Sequence, residues 1–120
     1  MKDGFYALFQ AGGDQDPDDT EAYGLAILAH FKNGVFVGTD QGGCRVSGSY
    51  QVGQSGKIAM QLIYEFKAGS GMADGSTLKA DHRMEANLML AAAAADGAPQ
   101  AVNIGMGPMY IKLNWLAEAV

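Results

Sequence analysis

A chain of 120 residues, 48% apolar with 17 glycines and three prolines, has the makings of one globular domain rich in turns, long enough to bury about two-thirds of its unfolded surface. Its net charge of -5 and pI near 4.7 argue against a nucleic acid partner, whose phosphates need clustered Lys and Arg. No apolar run reaches the ~18 residues of a membrane helix, and the opening Met1-Lys2-Asp3-Gly4 lacks the length and cleavage site of a signal peptide, so a cytoplasmic location without membrane contact is expected. The one cysteine, Cys44, cannot close an internal disulfide, which fits a reducing compartment.

In chain order, Gly4 to Gln10 reads as a first strand with Phe5, Ala7 and Phe9 on one side and Tyr6 facing outward. Ala11 to Thr20 holds Gly12, Gly13, Pro17 and four aspartates without hydrophobic period, which predicts a mobile acidic loop. Glu21 to Lys32 places Tyr23, Leu25, Ile27, Ala29 and Phe31 on one face and stops at Asn33-Gly34. That dipeptide suits a type I′ hairpin turn, which needs positive φ at both central residues, so Val35 to Thr39 should return antiparallel. After the turn Asp40 to Gly43, the residues Cys44, Val46, Gly48, Tyr50 and Val52 alternate with polar ones. Beyond the turn Gly53 to Gly56 the alternation resumes, with Ile58, Met60, Leu62, Tyr64 and Phe66 on one side and Lys57, Gln61 and Glu65 on the other.

Lys67 to Ser76 is glycine-punctuated loop, and the polar stretch Thr77 to Arg83 carries no signal of either kind. From Met84 a period of two through Ala86, Leu88 and Leu90 competes with the helix-forming run Ala91 to Ala95. A strand to about Ala92 is favoured, because Asp96-Gly97 and Pro99 close the segment too soon for a helix of the usual ~12 residues. Gln100 to Met106 is a short strand, Gly107-Pro108 a turn, and Met109, Ile111, Leu113 and Trp115 form one face of a last strand. Eight strands with one apolar face each predict an all-β, eight-stranded antiparallel up-and-down barrel comprising residues 1 to 120 as a single domain. A two-sheet sandwich fits the same pattern, but the short connections favour closure.

The opening Met1-Lys2-Asp3-Gly4-Phe5-Tyr6, the strand Gly24-Leu25-Ala26-Ile27 followed by Asn33-Gly34, the turn Gly38-Thr39-Asp40 and the later Gly48-Ser49-Tyr50 resemble the GrlR family of small negative regulators of type III secretion gene expression. The resemblance is clearest over residues 1 to 66. It implies a lipocalin-like barrel, a homodimer, an apolar cavity, and repression by protein-protein binding to a transcriptional activator rather than to DNA. The chain departs from the family at Gly53-Gln54-Ser55-Gly56, where members characterised as repressors carry a surface run of acidic residues.

Catalytic motifs fail on their own chemistry. Gly53-Gln54-Ser55-Gly56-Lys57 has Lys57 where a nucleophile elbow needs Gly, and Gln51 and Ile58 where a phosphate loop needs Gly and Ser or Thr. Gly69-Ser70-Gly71 opens no helix after a parallel strand, as a dinucleotide site requires. His30 and His82 have no ligand pattern around them, and Cys44, on an apolar strand face, reads as a core residue. The acids Asp14, Asp16, Asp18, Asp19 and Glu21 alternate like a calcium loop but lack its sixth-position Gly and twelfth-position Glu, so a solvated loop or a docking site for a basic partner fits better. No enzyme, metal or cofactor is expected.

Two functional classes therefore lead. One is a regulatory protein whose partner-binding residues are those five acids, with an activator protein as partner. The alternative is a carrier or sensor of a small apolar ligand, its cavity lined by Tyr50, Ile58, Met60, Leu62, Ile111, Leu113 and Trp115, although eight-stranded interiors are commonly filled by side chains. A homodimer is expected from apolar side chains on outward positions such as Tyr6, Tyr110 and Met89.

Overall fold

At Asn33-Gly34 the backbone takes φ of 53° and 83°, so Lys32 pairs directly with Val35 across a two-residue turn. The hairpin is one unit of an antiparallel meander. The computed structural model describes residues 1–71, 75–105 and 107–118. Its strands are β1 (Gly4–Gly12), β2 (Gly24–Lys32), β3 (Val35–Asp40), β4 (Arg45–Val52), β5 (Ile58–Phe66), β6 (His82–Leu90), β7 (Gln100–Asn103) and β8 (Pro108–Ala117). They form one sheet in the order β6-β5-β4-β3-β2-β1-β8-β7, every pairing antiparallel, which curls into a nearly closed barrel.

Among the described residues no ladder joins β6 to β7. The gap is bridged by a short 3₁₀ helix, Ala92–Asp96, which buries Ala94 at 1% exposure and ends on Gly97 with φ 89°. The Gln100 side chain accepts the Ala91 N–H at 2.9 Å, tying the end of β6 to the start of β7. The expected strand to about Ala92 thus ends at Leu90, where the alanine run tightens into the 3₁₀ turn. The expected strand Gln100 to Met106 stops at Asn103, and Met106 lies outside the described residues. So do residues 72–74 of the loop after β5, whose flanks meet at a bridge between Gly71 and Thr77.

The core runs through the barrel on Leu8, Ile27, Phe31, Phe36, Val46, Ile58, Met60, Leu62, Leu90, Ile111 and Leu113, all below 9% exposure. Full burial of each such side chain contributes about 1.5–3 kcal/mol. Two glycines let the walls come close. A Cβ on Gly48 would strike the Gln61 carbonyl and sit 2.8 Å from the Phe36 ring, and one on Gly38 would strike the backbone of Leu28 and Ala29. Phe36 fills the space over Gly48 and stacks on Phe31 at 4.8 Å, with Tyr6 edge-on to Phe31 at the same separation.

Strand β1 corrects the expected face. Phe5 is 45% exposed and points outward, whereas Tyr6, expected on the surface, is 2% exposed beside Leu8 in the core. Both alternate rows of Phe5-Tyr6-Ala7-Leu8-Phe9 are apolar, so period alone does not choose between them. The choice is made by the aromatic contact with Phe31 and by the Tyr6 hydroxyl, which donates to the Lys2 carbonyl at 2.6 Å. A register shift between Leu8 and Phe9 then changes the alternation toward the end of the strand.

Candidate protein-binding surfaces

The interior comes first, because a barrel can carry its ligand there. Ile58, Met60, Leu62, Ile111 and Leu113 are all buried core residues, and the void that Met60, Leu62 and Leu113 help to line has a volume of about 10 Å³. Its wall is wholly apolar, and a space of that size is at the lower limit for one water molecule. Tyr50 and Trp115 are only partly buried and stand at one end of the barrel.

That end is capped by the N-terminal segment. The Trp115 indole Nε1 donates to the Asp3 carbonyl at 3.1 Å, the Tyr50 hydroxyl donates to Asp3 Oδ1 at 3.4 Å, and Lys2 Nζ lies 3.6 Å from the Trp115 ring centre. Met1 packs against the core from the same side. The opposite mouth carries an open groove of about 520 Å³ whose lining includes Leu25, Ile27, Tyr64 and Phe66, with Gln10 and Asp40 beside them. Tyr64 stacks on Phe66 at 6.0 Å, and burial, reinforced by Cys44 and Asp40, pushes its phenol up to about 12. Cys44 is buried too, its Sγ donating to the Glu65 carbonyl at 3.4 Å, and desolvation raises its thiol pKa, so it is poorly placed to act as a nucleophile.

The acidic segment joins β1 to β2 at this same mouth, and Asp14, Asp16, Asp18, Asp19 and Glu21 are all exposed there. It has defined local structure. Asp16 Oδ1 accepts the Asp18 N–H at 2.9 Å, and Asp19 caps a 3₁₀ turn, Thr20–Ala22, by accepting the Glu21 N–H at 3.0 Å. The Tyr23 hydroxyl donates to the Pro17 carbonyl at 2.8 Å, and Lys112 Nζ lies over the Tyr23 ring at 4.3 Å. All five carboxylates are thus exposed on a segment whose backbone is braced, and two of them, Asp16 and Asp19, supply part of that bracing. Among the described residues no three His, Cys, Asp or Glu side chains converge as a metal site.

A further surface escapes the sequence patterns. On the outside of β8, β1, β2 and β3, Phe5, Leu28, Val35, Val37 and Leu116 are 45–57% exposed. Most of them line a groove of about 420 Å³ with His30, whose ring lies 4.9 Å from Phe5. His30 Nε2 is buried there without a hydrogen-bond partner among the described residues. The signal was present in part, since Leu28, His30, Val35 and Val37 occupy the nominally polar positions of their strands. Of the outward residues expected to mark an interface, Met89 is 66% exposed on β6, Tyr110 is half-buried, and Tyr6 is inside.

No known protein family, curated protein or solved structure matches this chain in comparison.

Proposed function

We propose that this chain is a regulatory protein that works by binding another protein through its outer surface. The partner class is the one its resemblance to negative regulators of type III secretion implies, a transcriptional activator rather than DNA. The observation that carries the proposal is the filled interior: a void of about 10 Å³ leaves recognition to the outside. The docking surface is the ordered acidic loop, where five of the chain's 13 acidic residues are exposed together. Such a patch draws a basic partner by long-range charge, an effect screened over about 10 Å at 0.1 M salt.

The test is capture of a partner on the immobilised chain, followed by association kinetics with the captured protein. Replacing Asp14, Asp16, Asp18 and Asp19 together with Asn should slow association roughly tenfold or more, as should high salt. Asn keeps an acceptor oxygen at Asp16 and Asp19, so both backbone hydrogen bonds of the loop persist and the fold is unaffected. An unaltered on-rate in the variant would sink this docking surface.

The groove at the mouth supports a second reading, a carrier of a small apolar ligand held against Tyr64 and Phe66 rather than deep in the barrel. Affinity for such a ligand would survive the Asn changes and high salt, and native mass spectrometry would find it on the purified protein.

A further inference from the structure

The sheet has two ends, β6 and β7, and among the described residues the seam between them stays open. Which backbone groups face that gap follows from the turns. In an antiparallel ladder a residue sends both its N–H and its C=O to the same neighbour, and alternate residues serve opposite sides. The Gly53 N–H donates to the Lys57 carbonyl at 2.9 Å, so the odd-numbered residues of β4 and β5 bond one another. The even-numbered residues of β5 then bond their partners in β6, from Ile58 with Leu90 to Phe66 with His82. Arg83, Glu85, Asn87 and Met89 are left with their N–H and C=O groups directed at the gap. Ala91 continues this row, and its N–H is met by the Gln100 side-chain oxygen, an amide carbonyl standing where that of a further strand would be.

We propose that β6 takes up an extended segment of another protein as an added strand, paired antiparallel along Arg83 to Asn87. An extended peptide backbone supplies donors and acceptors in the alternation this edge presents. The edge has none of the usual devices that refuse a strand: β6 contains no Pro, its register with β5 has no bulge, and its Arg83 and Glu85 side chains neutralise each other at 2.7 Å. The inward side is open over the same stretch. Leu88 and Leu90 are buried near the 3₁₀ turn, whereas Met84 and Ala86 are only half-buried. The added strand sets alternate apolar side chains against Met84 and Ala86, and its outward positions match Arg83 with an acid and Glu85 with a base. A second copy fits the gap badly, because its β6 brings β5 along the far side, where β7 of the first barrel stands. Main-chain bonds carry this site, so it is separate from the acidic loop and insensitive to salt.

The probe is the peptide Thr-Val-Lys-Val-Glu-Val, blocked at both ends, whose Lys and Glu fall opposite Glu85 and Arg83 in antiparallel register. Amide hydrogen exchange of the full chain, followed by NMR, reads the edge directly. The Arg83, Glu85 and Asn87 N–H groups should exchange fast in the chain alone and at least about threefold more slowly with about 1 mM peptide. N-methylation of the peptide's Lys, whose N–H faces β6, should raise the dissociation constant roughly tenfold or more. The same change at the Val between Lys and Glu, whose N–H faces away, should alter it less than about threefold. Asn87→Pro removes an edge donor but no bond to β5, so it should lose the peptide and keep the fold. Where circular dichroism shows that this variant does not fold, the two methylated peptides decide on the wild-type chain. Edge amides already protected in the chain alone, by β7 or by a second copy, overturn the proposal. So does a smaller change in exchange, or a peptide indifferent to which residue is methylated. Any of these failures leaves the regulatory reading intact, because that reading is tested by partner capture and salt dependence.

Discussion

Tyr64 shows how burial of one side chain enters the stability of the whole. It is 9% exposed, and its phenol is pushed up to about 12 first by desolvation and then by Cys44 and Asp40. In the unfolded chain the same group ionises near its ordinary 10. Below that pH both states hold the proton, and Tyr64 adds no pH dependence. Between about 10 and about 12 only the unfolded chain releases it, so stability falls as pH rises, by roughly 2–3 kcal/mol in all. Urea midpoints measured across that range should fall accordingly, and less steeply in Tyr64→Phe. The residual slope belongs to Tyr6, Tyr23, Tyr50 and Cys44, which desolvation also raises.

At the scale of elements, the β2–β3 hairpin rests on two positive φ angles, and its turn is tied to β4 by the Tyr50 N–H donating to the Gly34 carbonyl at 2.8 Å. Gly34→Val should therefore lose about 1–3 kcal/mol in urea unfolding, since a β-branched residue is strained at φ 83°. Asn33→Gly should stay within about 1 kcal/mol, because glycine reaches the same conformation freely. The 3₁₀ turn between β6 and β7 has the opposite logic: it follows from small size, Ala94 fitting where no larger side chain could enter without displacing the wall.

For the molecule as a whole, the filled barrel makes an expectation that does not depend on any partner. Benzene should leave the melting temperature of the wild-type chain unchanged, because the void of about 10 Å³ cannot admit it. Leu62→Ala should cost about 2–5 kcal/mol and create an apolar cavity that benzene then stabilises, seen as an upward shift in melting temperature. A large shift in the wild-type chain would mean that the interior opens in solution.

Eight strands, their order along the chain and the Asn33-Gly34 turn were legible from the sequence, because alternation and turn chemistry are local and each segment carries its own record of them. The apolar rows of β4, β5 and β8 were legible for the same reason: Arg45, Ser47, Ser49 and Gln51 in β4, Gln61 and Glu65 in β5, and Lys112 and Asn114 in β8 mark the wet side of each strand. In β1 both rows are apolar, and only contact with Phe31 from β2 and the hydroxyl bond to Lys2 decided that Tyr6 goes in and Phe5 out. The five acids were visible as a cluster, but not the bracing of their segment, since the Tyr23 hydroxyl folds back onto Pro17 and Lys112 from β8 lies over the Tyr23 ring. The outer apolar face lay beyond any single segment. Phe5, Leu28, Val37 and Leu116 become one surface only when antiparallel pairing sets β8, β1, β2 and β3 side by side, and whether the barrel holds a cavity is likewise decided by how side chains from all its strands fill a shared volume.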